Sequence, residues 1–263
     1  MNLGDVMRVA VRAPTAMSWT FFSHWHLRSR QVFRGRKRRS LDIIGRWGKG
    51  LAWVMGVRVV ERNRRQGPMG DVVVANHMGF LDVPVLLSYY PAVFIIKMEL
   101  RRVFYFGKAL ARGGHVFVER GSSSSRRSAR AGVSEVLEQG DRIIVFPEGG
   151  ASCEKERRPF KPFCFFEAAR LGKSVELCII DYQPDRRQLR WDVNRKMVPQ
   201  LMEIIGRRRT DVSVEFFPAE IPDDPEAVAQ RYHDLVEQRL ADYDRERGLG
   251  RDEPEPREEE RAA

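Results

Sequence analysis

Residues 72–82 read VVVANHMGFLD. A run of β-branched residues leads into an Asn-His pair, then a glycine, then Phe-Leu-Asp. A short apolar run bounded by turn residues reads as a buried strand. FLDVPVLLSYY then reads as a helix, with Pro84 tolerable in its first turn. The stretch is therefore a strand, a turn and a helix start, with His77 on the turn and Asp82 in the first helical turn. It has two readings: an ordinary strand-to-helix connection, with Asp82 favourably placed near a helix N-terminus, or an acid–base site. In the second, Asp82 accepts the Nδ1 proton of His77, fixing the tautomer and leaving Nε2 open to a substrate hydroxyl.

The same alternation runs outward in both directions. Residues 41–56 have apolar positions at helical spacing, weakened by Gly45, Gly48 and Gly50, and VRVVER (57–62) is strand-like. Downstream, AVFIIK (92–97), HVFV (115–118), RIIVF (142–146), VELCII (175–180) and DVSVEFF (211–217) read as strands. Helical patterns fall at 101–112, in the serine-led segment closing at Gly140, in FKPFCFFEAARLG and near 198–206, with QLRWDV in the last connection. Strands alternating with helices predict an α/β fold, with a mixed, largely parallel sheet flanked by helices. Ligands in such folds sit beyond the carboxyl ends of the strands. VVVANH and IIVFPEGG both place polar groups there.

The ends differ in character. PTAMSWTFFSHWHL (14–27) is apolar and aromatic but shorter than the about 20 residues that a spanning helix needs. It reads either as a segment lying in a membrane interface, where Trp and Phe settle, or as a packing helix. Residues 28–39 hold seven Arg or Lys, a charge run that suits an anionic surface or is simply solvated. Residues 225–248 form an amphipathic helix through Val228, Tyr232, Leu235, Val236, Leu240 and Tyr243. GRDEPEPREEERAA is charged and lacks a core former, so a disordered tail is expected. The expected division is 1–39 interfacial and basic, 40–222 the α/β domain, 223–248 a C-terminal helix and 249–263 a tail.

Composition bounds the function class. A chain of 263 residues is long enough for a sizeable core, and the formal charge of +10 favours anionic partners. The three cysteines, Cys153, Cys164 and Cys178, lack metal or redox spacing, and His77 has no clustered ligands, so no metal is implied.

Three further stretches join the opening one: KMELRRVFYFGKALARGGHVFVERG (97–121), FPEGGAS (146–152) and VELCII (175–180). Together, from about residue 40 to 217, the chain resembles the glycerolipid acyltransferase superfamily, the family of 1-acylglycerol-3-phosphate acyltransferases. Its first block matches Asn76, His77 and Asp82, with Gly79 where serine is common. The second matches Lys97, Glu99, Leu100, Gly107, Gly114, Phe117 and Arg120. The third matches Phe146, Pro147, Glu148, Gly149 and Ser152. The resemblance implies a glycerol-3-phosphate acyltransferase-like sheet with N-terminal membrane-interface helices. It implies transfer of an acyl group from acyl-CoA or acyl carrier protein, a substrate rather than a cofactor, to a lysolipid hydroxyl. His77 would be general base and Asp82 its orienter, with Asn76, Lys97, Arg120, Glu148 and Gly149 at the substrate. The enzyme would work on the cytoplasmic face of a membrane, peripheral or monotopic, held to anionic lipid by residues 28–39.

One departure bears on the acceptor. Where the third block usually continues Thr-Arg, this chain has Gly150-Ala151. Lys155, Arg157 or Arg158 could replace the lost arginine; the acceptor could lack a phosphomonoester, as lyso-ornithine lipid does; or acceptor binding could be weakened, leaving a lipid-binding relative. The charge alone would also suit a nucleic-acid binder, but no nucleic-acid motif accompanies it.

Overall fold

The computed structural model describes residues 2–34, 40–102, 106–119, 123–151, 157–184, 186, 189, 191–192 and 195–249. Seven strands form one sheet: β1 (Val57–Glu61), β2 (Val72–Ala75), β3 (Val93–Lys97), β4 (Val116–Val118), β5 (Ile143–Val145), β6 (Val175–Gln183) and β7 (Thr210–Phe216). Their order is β1-β7-β6-β2-β5-β3-β4. Every neighbouring pair is parallel except β6 and β7. The mixed, largely parallel sheet expected from the alternation is thus observed. Strand β2 is wholly inaccessible to solvent, because helices cover both faces of such a sheet and its strands need no polar side.

The covering helices are α2 (Leu41–Val54), α3 (Asp82–Tyr89), α4 (Phe106–Arg112), α5 (Ser123–Glu138), α6 (Phe163–Arg170), α7 (Met197–Gly206) and α8 (Pro225–Glu246). The glycines of α2 have a packing reason. A Cβ on Gly48 would lie 2.4 Å from Leu87 Cβ of α3, and one on Gly50 would lie 2.4 Å from the Trp19 ring. Their cost in helix propensity is accepted for close approach on two sides. Helix α8 is capped by Asp224, whose side chain accepts from Glu226 N and Ala227 N. It buries Val228, Tyr232, Val236, Leu240 and Tyr243, with Leu235 only partly buried. Charged staples reinforce it: Arg239 and Tyr243 bond Glu215 of β7, while Arg247 lies 2.8 Å from Asp181 of β6.

At the N-terminus the segment read as 14–27 belongs to one long helix, α1 (Leu3–Arg34), which continues into the basic run. Residues 35–39 and 250–263 lie outside the described residues. One face of α1 is docked. Trp19 Nε1 donates to Trp47 O at 3.1 Å, and Trp47 Nε1 to Thr20 Oγ1 at 3.1 Å. Arg8 and Arg12 donate to the carbonyls of Gly206, Ile205 and Arg207, where α7 runs out of internal partners. The other face is apolar and open: Leu3, Met7, Val11, Met17, Phe21 and Trp25 are exposed, as is Trp53 of α2. The docked face fits the reading of this segment as a packing helix. Among the described residues no helix is long and apolar enough to cross a membrane.

Candidate active site

The sheet order brings three strand ends together. Strand β2 lies between β5 and β6, with Val74 opposite Val145 and Ala75 opposite Cys178. Just past these positions come His77, Glu148 and, at the end of β6, Tyr182. The site therefore occupies the carboxyl edge of three adjacent strands, where α/β sheets place ligands.

His77 Nδ1 lies 2.7 Å from Asp82 Oδ2. The same oxygen accepts Met78 N at 2.7 Å and Gly79 N at 2.9 Å, while Tyr182 Oη donates to Oδ1 at 2.5 Å. Asp82 is the first residue of α3 and fully buried. A carboxylate that receives two backbone N–H groups and a phenol is acting as an acceptor only, so the imidazole must donate from Nδ1. Nε2 then carries the lone pair. It bonds no described residue, and one-fifth of the His77 side chain is open to solvent. The ring stacks on Phe146 at 4.0 Å between centroids and 13° between planes, and Phe146 stacks in turn on Phe94. A carboxylate on one edge and an aromatic face beneath leave an imidazole whose other nitrogen faces outward, an arrangement that suits a general base.

Glu148 steadies the turn. Its Oε1 accepts His77 N at 3.2 Å, and its Oε2 is buried without a hydrogen-bond partner among the described residues. Burial pushes its carboxyl up to about 7, against the pull of the Arg157 charge and the His77 N–H. Gly149 has φ +77°, a left-handed conformation that glycine adopts freely. A Cβ there would lie 2.8 Å from Lys161 Nζ, so a lysine ammonium rests over the turn.

The other expected substrate residues fare differently. Asn76 is corrected: it is fully buried, and its amide pairs with both backbone groups of Ile180, donating at 2.9 Å and accepting at 2.8 Å. It ties β2 to β6. Lys97 is exposed at the end of β3, opposite Val118 in register. Arg120, Ser152, Cys153 and Lys155 lie outside the described residues. Arg157 sits 2.8 Å from Glu237 on α8, and Arg158 is exposed. The cation that the structure sets on the FPEGG turn is Lys161, which sequence reasoning missed, as it missed Tyr182. Each is separated in sequence from the group it meets. Cys164 and Cys178 are buried, and burial pushes the Cys164 thiol up to about 12, so neither is an available nucleophile. Among the described residues no three His, Cys, Asp or Glu side chains are grouped to hold a metal.

Comparison with known proteins finds similar sequences and a similar fold. The family described as Acyltransferase matches residues 54–180. A 1-acyl-sn-glycerol-3-phosphate acyltransferase of Neisseria gonorrhoeae is 28% identical over 184 residues, 68% of this chain and 72% of that one. A lyso-ornithine lipid O-acyltransferase of Pseudomonas aeruginosa is 33% identical over 129 residues, 49% of this chain and 48% of that one. Among solved structures, the 1-acyl-sn-glycerophosphate acyltransferase PlsC of Thermotoga maritima shares the fold. It superposes with a TM-score of 0.58 at 20% identity, covering 88% of this chain and 97% of that one. With a histidine held by a carboxylate at the strand ends of that fold, the chain matches the Acyltransferase family over residues 54–180 and is similar to the glycerolipid acyltransferases.

Proposed function

We propose that this protein moves a fatty acyl group from a thioester, acyl-CoA or acyl carrier protein, to the hydroxyl of a lysolipid at an anionic membrane surface. The observation that carries this is the His77 Nδ1 to Asp82 bond of 2.7 Å with Nε2 open. Nε2 takes the acceptor's proton as its oxygen attacks the thioester carbonyl. The tetrahedral intermediate then collapses, the C–S bond breaks, and the proton passes to the departing sulfur. No enzyme nucleophile is needed. The open apolar face of α1 and Trp53, beside the exposed Arg28, supports residues 1–39 as the element that meets lipid; residues 40–222 then form the catalytic domain.

For the acceptor, Lys161 over Gly149 supplies positive charge where Thr-Arg is lost, which supports 1-acylglycerol-3-phosphate or a related lysophospholipid. Ala151 in the arginine position favours a second reading, lyso-ornithine lipid, because a lysine point charge does not reproduce a guanidinium fork on phosphate. Purified protein assayed with lysophosphatidate, other lysophospholipids and lyso-ornithine lipid, each with both donors, tests the proposal. Undiminished acyl transfer by His77→Ala refutes the mechanism.

A further inference from the structure

The Asp82 carboxylate is held from both ends. Oδ2 takes the His77 Nδ1 proton and the Met78 and Gly79 N–H groups; Oδ1 takes the Tyr182 hydroxyl at 2.5 Å. Tyr182 lies on β6, about 100 residues from Asp82, and has 1% of its surface exposed. Gly79 adjoins it: a Cβ there would stand in ordinary contact, 3.6 Å from Tyr182 Oη. Burial first, then the Asp82 charge, hold the Tyr182 phenol well above its ordinary range, so the hydroxyl keeps its proton and donates. The ionisable groups around the carboxylate are His77 on the turn after β2, Tyr182 on β6 and Glu148 after β5.

We infer that Tyr182 is a positioning residue for acyl transfer, fixing the Asp82 carboxylate and drawing part of its charge away from His77, so that it sets the basicity of Nε2. The inference rests on the acyl-transfer reading. Physically, a carboxylate shares its negative charge among its donors. A strong donor on Oδ1 leaves less for the imidazole on Oδ2, so losing that donor is expected to strengthen the carboxylate's hold on a protonated ring. It also stops the carboxylate from turning, so the imidazole edge stays aimed.

The test compares Tyr182→Phe and Tyr182→3-fluorotyrosine in the full chain, with lysophosphatidate and a long-chain acyl-CoA. Tyr182→Phe is expected to lower kcat about tenfold with KM within about twofold, and to move the acidic limb of the kcat/KM profile up by about half a pH unit or more. The fluorinated residue, nearly isosteric and a stronger donor, is expected to move that limb down. The titration of the His77 ring in 15N-histidine-labelled protein reads the same opposed shifts without turnover. A limb and a ring titration that stay in place in both variants overturn the inference, even if Tyr182→Phe melts earlier. If Tyr182→Phe does not fold, the fluorotyrosine protein decides alone. The failures are distinguishable: transfer by His77→Ala sinks the acyl-transfer reading, whereas a dead His77→Ala with unmoved Tyr182 variants sinks only this inference.

Discussion

Glu148 reaches across from the end of β5 to accept the backbone N–H of His77 at 3.2 Å. The bond is between a side chain and the main chain of His77, so it fixes where the turn sits and leaves the imidazole unencumbered. The second oxygen of Glu148 is buried and unbonded among the described residues.

That arrangement gives a pH-dependent stability. Folding raises the Glu148 carboxyl from 4.5 to about 7. A raised value means that the folded state binds the proton more tightly, so the contribution is fully present below 4.5 and is lost as pH rises through about 7. The span corresponds to roughly 3 kcal/mol. Glu148→Gln, which retains an oxygen acceptor for His77 N, is expected to flatten the change in Tm between pH 4.5 and 7. A wild-type Tm that rises across that window would contradict the expectation.

Removing the base is expected to matter most. His77→Ala should lower kcat by about 10²–10⁴-fold, with a smaller effect on KM. Asp82→Asn should approach this loss, because an amide presents an N–H toward donors that already crowd the site. Steady-state kinetics on folded variants, checked by circular dichroism, measure both.

Asn76 should affect stability more than chemistry. Asn76→Ala leaves the buried N–H and C=O of Ile180 unpaired, which costs on the order of 2–4 kcal/mol. A denaturant midpoint that falls by that amount, with the pH profile of residual activity unshifted, is the expected result.

The cation over the FPEGG turn should discriminate acceptors. Lys161→Ala is expected to raise KM for lysophosphatidate about tenfold and to leave kcat nearly unchanged, while the KM for a lyso-aminolipid stays put. Equal effects on the two acceptors would remove Lys161 from headgroup recognition.

Membrane attachment should follow the open face of α1. Phe21→Asp with Trp25→Asp alters exposed positions, so Tm should hold while flotation with phosphatidylglycerol vesicles falls sharply. Binding that survives these changes, or a preference for DNA over vesicles at matched salt, would argue for a different surface.

Much of the fold was legible because each strand carries its own signal. VVVA and IIV are apolar on both faces, as strands buried between helices must be. His77 and Asp82 were legible because five residues of turn suffice to fold one onto the other. Strand order was not, since β6-β2-β5 joins segments roughly 70 to 100 residues apart, and with it went Tyr182. Asn76 was misread because it adjoins the base in sequence. Successive residues leaving a strand point to opposite sides, so the neighbour of an outward histidine turns inward. Helix α1 was cut short because its apolar residues were read as one block rather than as two faces of a longer cylinder.

The Phe146 stack has a consequence for traffic through the site. With one flat face of the imidazole covered and Nδ1 tied to Asp82, a flip of the ring would break the Asp82 bond. In the proposed mechanism the proton that enters at Nε2 therefore leaves at Nε2. For acyl transfer, the hydroxyl that gives up the proton and the sulfur that collects it must take turns at a single doorway, both on the same rim of the ring.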